Sequence, residues 1–412
     1  MRILQLCPRV PFPPHDGGAI AMYDVAAGLA QAGHHVTVLA INTPKHHQPA
    51  TVLDHLGPNV RLLTVDVDTN LSPIKALRNF LFSELPYNVE RFVSEKVKVK
   101  LAELLGQEQF DVVQMEGTFV AWYAGYWIEN GAVSWKNLPP VVLRAHNVEY
   151  TIWEQLARNA GNTLKKWYLQ KLAQRLKLFE KWMMHRFDAV AAITEADRQR
   201  LRQQGCQEPV VFIPAGVDLT RFRPEPAVLP RPRTLCMIGS LNWLPNLEGL
   251  DWFLTQVWPR LAERLPELEL HVAGTGMPER LRQLRLPGVT MHGFVESAAD
   301  FMRTYELMLV PLLSGGGMRV KIIEGMALGK AILSTALGAE GIHCRPGHNI
   351  LLADDPEEWV RLLEDYYHGR LDVAALGTQA AQTAAELYDN RRVVARFEQL
   401  YQQVAAGRPV SC

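Results

Sequence analysis

The chain has 412 residues, of which 48% are hydrophobic and 21% charged, and its 43 basic side chains are matched by 43 acidic ones. That length and mix fit two soluble globular domains, and the balance of charge excludes a chain-wide electrostatic surface for nucleic acid. The five cysteines, Cys7, Cys206, Cys236, Cys344 and Cys412, are scattered without a Cys-x-x-Cys pair or clustered histidines, which argues against a zinc site and a disulfide framework.

In chain order, residues 2–7 form an apolar run closed by Pro8, residues 19–32 carry helical spacing, and residues 35–41 alternate as a second strand. The intervening loop is proline-rich and ends in Asp16-Gly17-Gly18, without a Gly-x-Gly-x-x-Gly fingerprint. Gly17 and Gly18 are candidates for close approach of an acceptor or phosphate to a helix start; a flexible turn before a helix reads the same way. Strands are expected at 60–67, 111–115 and 141–144, with a helix at 94–105. His146 lies just past the last of these strands, at the carboxyl edge where open α/β sheets hold ligands, although a lone histidine also serves structure.

Residues 164–187 read as a long helix with Lys165, Lys166, Lys171, Arg175, Lys177, Lys181 and Arg186 set against Glu180 alone. A basic amphipathic helix can make peripheral contact with an anionic membrane, and an ordinary surface helix has the same pattern. The apolar run before Pro8 is too short for a signal peptide and no later run reaches a membrane span, so the expected location is cytoplasmic, with the inner face of the cell membrane left open. A strand at 189–193 leads into Thr194-Glu195-Ala196-Asp197, a helix-start signature.

After a strand at 210–214, four prolines fall within residues 221–233, the best linker in the chain. A second β/α series opens at 234–238, turns at Gly239-Ser240-Leu241-Asn242-Trp243 and enters a helix at 247–264. Strands follow at 269–273, before Gly274-Thr275-Gly276, then at 289–292, 307–312 and 331–334, with a last helix at 386–405. Residues 314–326, Ser-Gly-Gly-Gly-Met-Arg-Val-Lys-Ile-Ile-Glu-Gly-Met, run from glycines into a helix bearing Arg319, Lys321 and Glu324. Glycines let a ligand lie on the backbone, and the helix start and two cations favour phosphate. A carboxylate beside phosphate suits a pair of sugar hydroxyls, so the combination suggests a nucleotide sugar; a glycine turn before a partly buried helix is the plainer alternative. The reading is thus α/β: two doubly wound, Rossmann-like domains facing across a cleft. They span 1–218 and 234–385, with a linker at 219–233 and a C-terminal helix and tail at 386–412 returning to the first domain.

Three stretches carry a likeness to a known family: Ile213-Pro214-Ala215-Gly216-Val217-Asp218-Leu219-Thr220-Arg221-Phe222, His292-Gly293-Phe294-Val295, and the run from Gly315 to Lys330. Together they resemble the retaining glycosyltransferases of family 4, the group 1 family, with the GT-B fold. The loop from Gly239 to Asn246 is similar to a polysaccharide-assembly branch. The resemblance implies a nucleotide-sugar donor, UDP- or GDP-linked, held by Gly239, Asn242, Gly274, Phe294, Val295, Gly315, Gly316, Gly317 and Glu324. It implies an acceptor domain containing Gly17 and Gly18, with catalytic parts for His146, Arg319 and Lys321. Glu324 matches the second glutamate of the family's pair, which holds the ribose; Gly316 stands where the first would fall. The loop at 239–246 lacks the family's usual Arg and Lys, leaving Arg319 and Lys321 as substitutes.

The implied activity is hexosyl transfer to a glycan, lipid-linked or small-molecule hydroxyl with retention, without metal or other cofactor, in polysaccharide or cell-envelope glycan biosynthesis. Two alternatives stand beside it: a nucleotide-sugar epimerase of GT-B architecture, and a non-catalytic module binding glycan or a partner protein.

Overall fold

The apolar runs form two sheets in which every pairing is parallel. This computed structural model describes residues 1–125, 138–158, 160–225 and 228–407. Pro226 and Ala227 of the expected linker, and the tail from residue 408 to Cys412, lie outside the described residues. The chain divides into two units, one of Met1–Pro14, Gly18–Pro214 and Val393–Cys412, the other of His15–Gly17 and Ala215–Arg392.

In the first unit the strands are β1 (Arg2–Cys7), β2 (His35–Asn42), β3 (Val60–Asp66), β4 (Val112–Glu116), β5 (Val141–Ala145), β6 (Ala189–Ala192) and β7 (Val210–Phe212). Their order is β3-β2-β1-β4-β5-β6-β7. The second unit contains β8 (Arg231–Ile238), β9 (Glu269–Ala273), β10 (Val289–Gly293), β11 (Tyr305–Val310), β12 (Ala331–Ser334) and β13 (Leu351–Leu352), ordered β10-β9-β8-β11-β12-β13. Both sheets have the doubly wound order, in which the chain reverses direction between the first and fourth strands. Those reversals, at β1/β4 and β8/β11, fix where each sheet can open a ligand crevice at its carboxyl edge.

Covered parallel sheets need apolar residues on both faces, and β1 supplies them: Leu4 and Leu6 enter one core, Ile3 and Cys7 the other. The second core also receives Val393, Val394, Phe397, Leu400 and Tyr401 of the helix Asn390–Ala405, so the C-terminal helix does return to the first unit. It begins four residues later than expected. A preceding helix, Val373–Leu387, ends where Val217 N–H donates to Tyr388 O (2.8 Å) and Asn390 N–H to Val217 O (3.0 Å).

Two further differences have local causes. The helix expected at 247–264 is divided into Leu244–Trp252, a wide π turn at Phe253–Val257, and Trp258–Ala262. Pro259 has no N–H to give and its ring crowds the carbonyl one turn back, so the helical ladder widens before it. Strand β8 starts at Arg231, inside the expected linker, because Arg231 pairs with Tyr305 and bridges Glu269 at 2.8 Å. The register slips between Tyr305 and Leu307, and Arg233 takes a φ of 57°, a bulge that accommodates Pro232 in a strand.

Candidate active site

In the second unit, the strand-end loops of β8, β9 and β10 are tied together at the carboxyl edge. Gly239 N–H donates to Ala273 O (3.2 Å), Leu241 N–H to Thr275 O (2.7 Å), and Gly274 N–H to Gly293 O (2.7 Å). The approach is so close that a Cβ on Gly274 would lie 1.8 Å from Gly239 O, which makes glycine obligatory there. The loop after β11 carries Gly315 and Gly317 at φ 109° and 74°, backbone that side chains disfavour, and a Cβ on Gly315 would meet the Trp243 ring at 3.1 Å. The β8 and β11 loops therefore flank the sheet's reversal point, and the helix Val320–Ala327 follows directly.

Lys321 on that helix reaches back to the β8 loop. Its Nζ donates to Ile238 O at 3.1 Å and Asn246 Oδ1 at 2.7 Å, and a Cβ on Gly239 would lie 3.1 Å from it. A loop that carries no cation in its own sequence thus receives one from a helix more than seventy residues later. Arg319 behaves differently: its Nη1 donates to the carbonyls of Gly316 and Gly317, bracing the glycine loop, with the guanidinium 5.9 Å from the Trp243 ring centre.

Glu324 is buried, and its carboxyl group accepts no hydrogen bond from the described residues. Burial pushes it up to about 7 against the pull of Arg221 and Lys321, while burial and then Arg319 push Lys321 down to about 7 against the pull of Glu324. Asn242 and Phe294 are exposed and Val295 half-buried on the neighbouring loops.

The first unit has its own polar centre at the β1/β4 reversal. His146 follows β5, and its Nε2 lies 2.7 Å from Oε2 of Glu116, a wholly buried carboxylate at the end of β4. Gln5 Nε2 donates to Oε1 of Glu116 (2.6 Å), Gln114 Nε2 also donates to Oε1, and Arg144 Nη1 stands 3.8 Å from Oε2 while donating to Ala21 O at 2.7 Å. Burial acts to raise the Glu116 pKa, but Arg144, then His146 and Gln5, outweigh it and hold it below the ordinary carboxylate range. An ionised Glu116 accepts from the imidazole and so fixes a proton on its Nε2. Gly17 and Gly18 begin the helix Gly17–Gln31 instead of preceding it, without positive φ, so they contribute the absence of a side chain at a helix start.

The profile described as Glycosyltransferase Family 4 matches residues 15–221, and Glycosyl transferases group 1 matches 232–368. The chain belongs to glycosyltransferase family 4. It is similar to a 44.6 kDa protein in the cps region of Klebsiella pneumoniae, 22% identical over 95% of this chain and 97% of that one. Its fold is GT-B, like that of sucrose-phosphate synthase from Thermosynechococcus elongatus (TM-score 0.72, 19% identity, 99% of this chain and 100% of that one). Anabaena HepE, solved in complex with UDP-glucose, is also similar (TM-score 0.67, 13% identity, 98% and 100% covered).

Among the residues of this glycosyltransferase singled out from sequence, Gly239, Gly274, Gly315, Gly316, Gly317, Arg319, Lys321 and Glu324 come together around one sheet edge of the second unit. Sequence reasoning missed Glu116 and Arg144, whose signal was a charged residue at the end of each of two mostly apolar neighbouring strands, and Asn246, whose amide holds Lys321.

Proposed function

We propose that this family 4 enzyme transfers a sugar from a UDP- or GDP-linked donor to an acceptor hydroxyl with retention of anomeric configuration, in polysaccharide or cell-envelope glycan assembly. The observation carrying this reading is Glu324, a buried carboxylate without a hydrogen-bond partner among the described residues, beside a cation delivered to a glycine edge. Glu324 holds the ribose hydroxyls, and Lys321 meets the diphosphate. The acceptor oxygen bonds to the anomeric carbon as the carbon–oxygen bond to the diphosphate breaks, and the acceptor proton passes to a diphosphate oxygen. Negative charge developing on the leaving group is met by Lys321 and the start of the helix Val320–Ala327, with no metal in this scheme. Arg319 acts by shaping the glycine loop. His146 positions the donor sugar or the acceptor.

A thermal-shift screen against UDP, GDP, ADP, TDP and their sugar conjugates tests the reading, since a bound donor raises the unfolding midpoint by mass action. Radiolabelled transfer to an acceptor panel follows. Conversion of donor with no acceptor present would indicate an epimerase; binding without turnover across the panel would indicate a non-catalytic module.

Replacing both Arg319 and Lys321 with alanine is expected to weaken nucleoside-diphosphate affinity by about 100-fold while leaving nucleoside affinity within a few-fold. Equal losses for both ligands would remove the diphosphate role. Lys321 must be protonated to meet phosphate, and Glu324 holds hydroxyls best when ionised. Donor binding therefore takes up a proton above about pH 7 and releases one below it, given both groups sit near that value when ligand-free. Calorimetry in buffers of different ionisation enthalpy reads both signs, and Lys321→Met is expected to abolish the uptake alone.

For His146→Ala, turnover is expected to fall by about 100-fold with donor affinity little changed. Unaltered turnover would exclude any part for the imidazole.

A further inference from the structure

In the first unit, β1, β4 and β5 alternate apolar residues with Gln5, Gln114, Glu116 and Arg144 on a single face, the one that the helix Asn390–Ala405 covers. Four buried polar side chains demand partners. Glu116 finds them at both oxygens: Oε1 accepts from the amides of Gln5 and Gln114, which leaves Oε2 to His146. The two amides are secured differently. Gln5 Nε2 also donates to Met22 O at 3.1 Å, so the main chain fixes it. The side-chain oxygen of Gln114 has one partner among the described residues, the hydroxyl of Tyr401.

Tyr401 is wholly buried and stands 287 positions from Gln114 in the chain. Phe397, one helical turn earlier, sets its ring centre 5.8 Å from that of Tyr401 and 5.2 Å from the Arg144 guanidinium. One helix face thus meets both members of the charged pair, Phe397 touching Arg144 directly and Tyr401 reaching Glu116 through Gln114. Burial raises the phenol well above its ordinary range, with Glu116 adding to the effect, so the hydroxyl keeps its proton and acts as a donor. An amide turns its N–H toward Glu116 only while its oxygen points the other way, and a donor placed at that oxygen fixes the choice.

We propose that Tyr401 is a positioning residue for His146, acting through Gln114 and Glu116 to hold the carboxylate in the orientation that keeps the imidazole proton on Nε2. Its weight for turnover rests on the part that His146 takes in the proposed sugar transfer. Hydrogen bonds in such a chain polarise one another, so loss of the far link is felt at the near one. A tyrosine that merely satisfied Gln114 would matter to stability alone. The two roles separate when both partners are removed, because apolar groups at both ends of a buried hydrogen bond cost little, while removal of one end strands the other.

Tyr401→Phe and Gln114→Met are each expected to lower the unfolding midpoint by roughly 2–4 °C, and the double variant to regain most of that loss. Turnover is expected to fall about fivefold in Tyr401→Phe and about tenfold in Gln114→Met, with the donor KM little changed, and to stay about tenfold down in the double variant. NMR of the histidine ring nitrogens, with the His146 signal assigned by its loss in His146→Ala, reads the carboxylate's grip at alkaline pH, where imidazoles are neutral. The parent is expected to show the Nε2–H tautomer, and all three variants a mixture with Nδ1–H. Turnover restored together with stability in the double variant, or an unchanged His146 signal in Tyr401→Phe, would overturn the proposal. The ring signal requires no turnover, so it decides the relay even where His146→Ala leaves transfer unaltered and removes the imidazole from the reaction.

Discussion

Glu324→Gln is expected to lower kcat/KM for the nucleotide-sugar donor by about 100-fold or more. Hydrogen bonds to a charged acceptor are each worth about 1.5–3 kcal/mol, and a carboxylate that accepts no hydrogen bond from the described residues offers both oxygens to a pair of hydroxyls. The amide retains one acceptor and turns a donor toward the other hydroxyl. The fold itself should gain from the change. Burial pushes Glu324 from 4.5 up to about 7, so ionising it opposes folding above the unfolded value and most fully above pH 7. The variant's unfolding midpoint, measured without ligand, is therefore expected to equal or exceed that of the parent at pH 8 and to match it near pH 4.5. Deoxy-nucleotides supply the specific control: the parent should discriminate against 2′- and 3′-deoxyribose, and the variant should lose that discrimination. Retained discrimination would place the ribose elsewhere.

Arg144→Met is expected to destabilise the first unit by about 3–5 kcal/mol at neutral pH, since breaking a buried pair leaves a charge without compensation. Arg144 and Glu116 are both wholly buried, with 3.8 Å between Nη1 and Oε2. The depressed Glu116 pKa contributes stability above the unfolded carboxylate value of 4.5, lost as pH falls through the lower folded value. Without Arg144, burial dominates and drives the carboxyl upward, so the variant's deficit should be largest at neutral and alkaline pH and shrink in acid. Urea unfolding followed at several pH values reads this directly. The double variant Arg144→Met/Glu116→Gln should recover much of the loss, because removing both charges spares the desolvation penalty. A double variant no more stable than Arg144→Met would show that the guanidinium matters through packing against Phe397, 5.2 Å from its ring centre, instead of through charge.

The strands were readable because a sheet covered on both faces demands apolar residues at nearly every position, and that demand is written locally. The helix at 386–405 was readable in type but not in its start, because a backbone pairing with Val217, far away in the chain, sets where it begins. Pro259 was visible in the sequence, yet its effect depended on the helix continuing past it.

By itself the sequence determined the α/β class, the two β/α series, the glycine loop at 314–317 and the placing of Lys321 with Glu324 on one helix, since spacing and residue chemistry are local properties; Arg319, expected on that helix, caps it instead. The tertiary structure decided which loop each cation serves. Lys321 crosses to Ile238 and Asn246 while Arg319 folds back on Gly316 and Gly317, a distinction set by the β8/β11 reversal that brings distant loops to one sheet edge. It likewise decided that Glu116 lies beside His146, because the parallel pairing of β4 and β5 sets Glu116 opposite Arg144, two residues before the histidine.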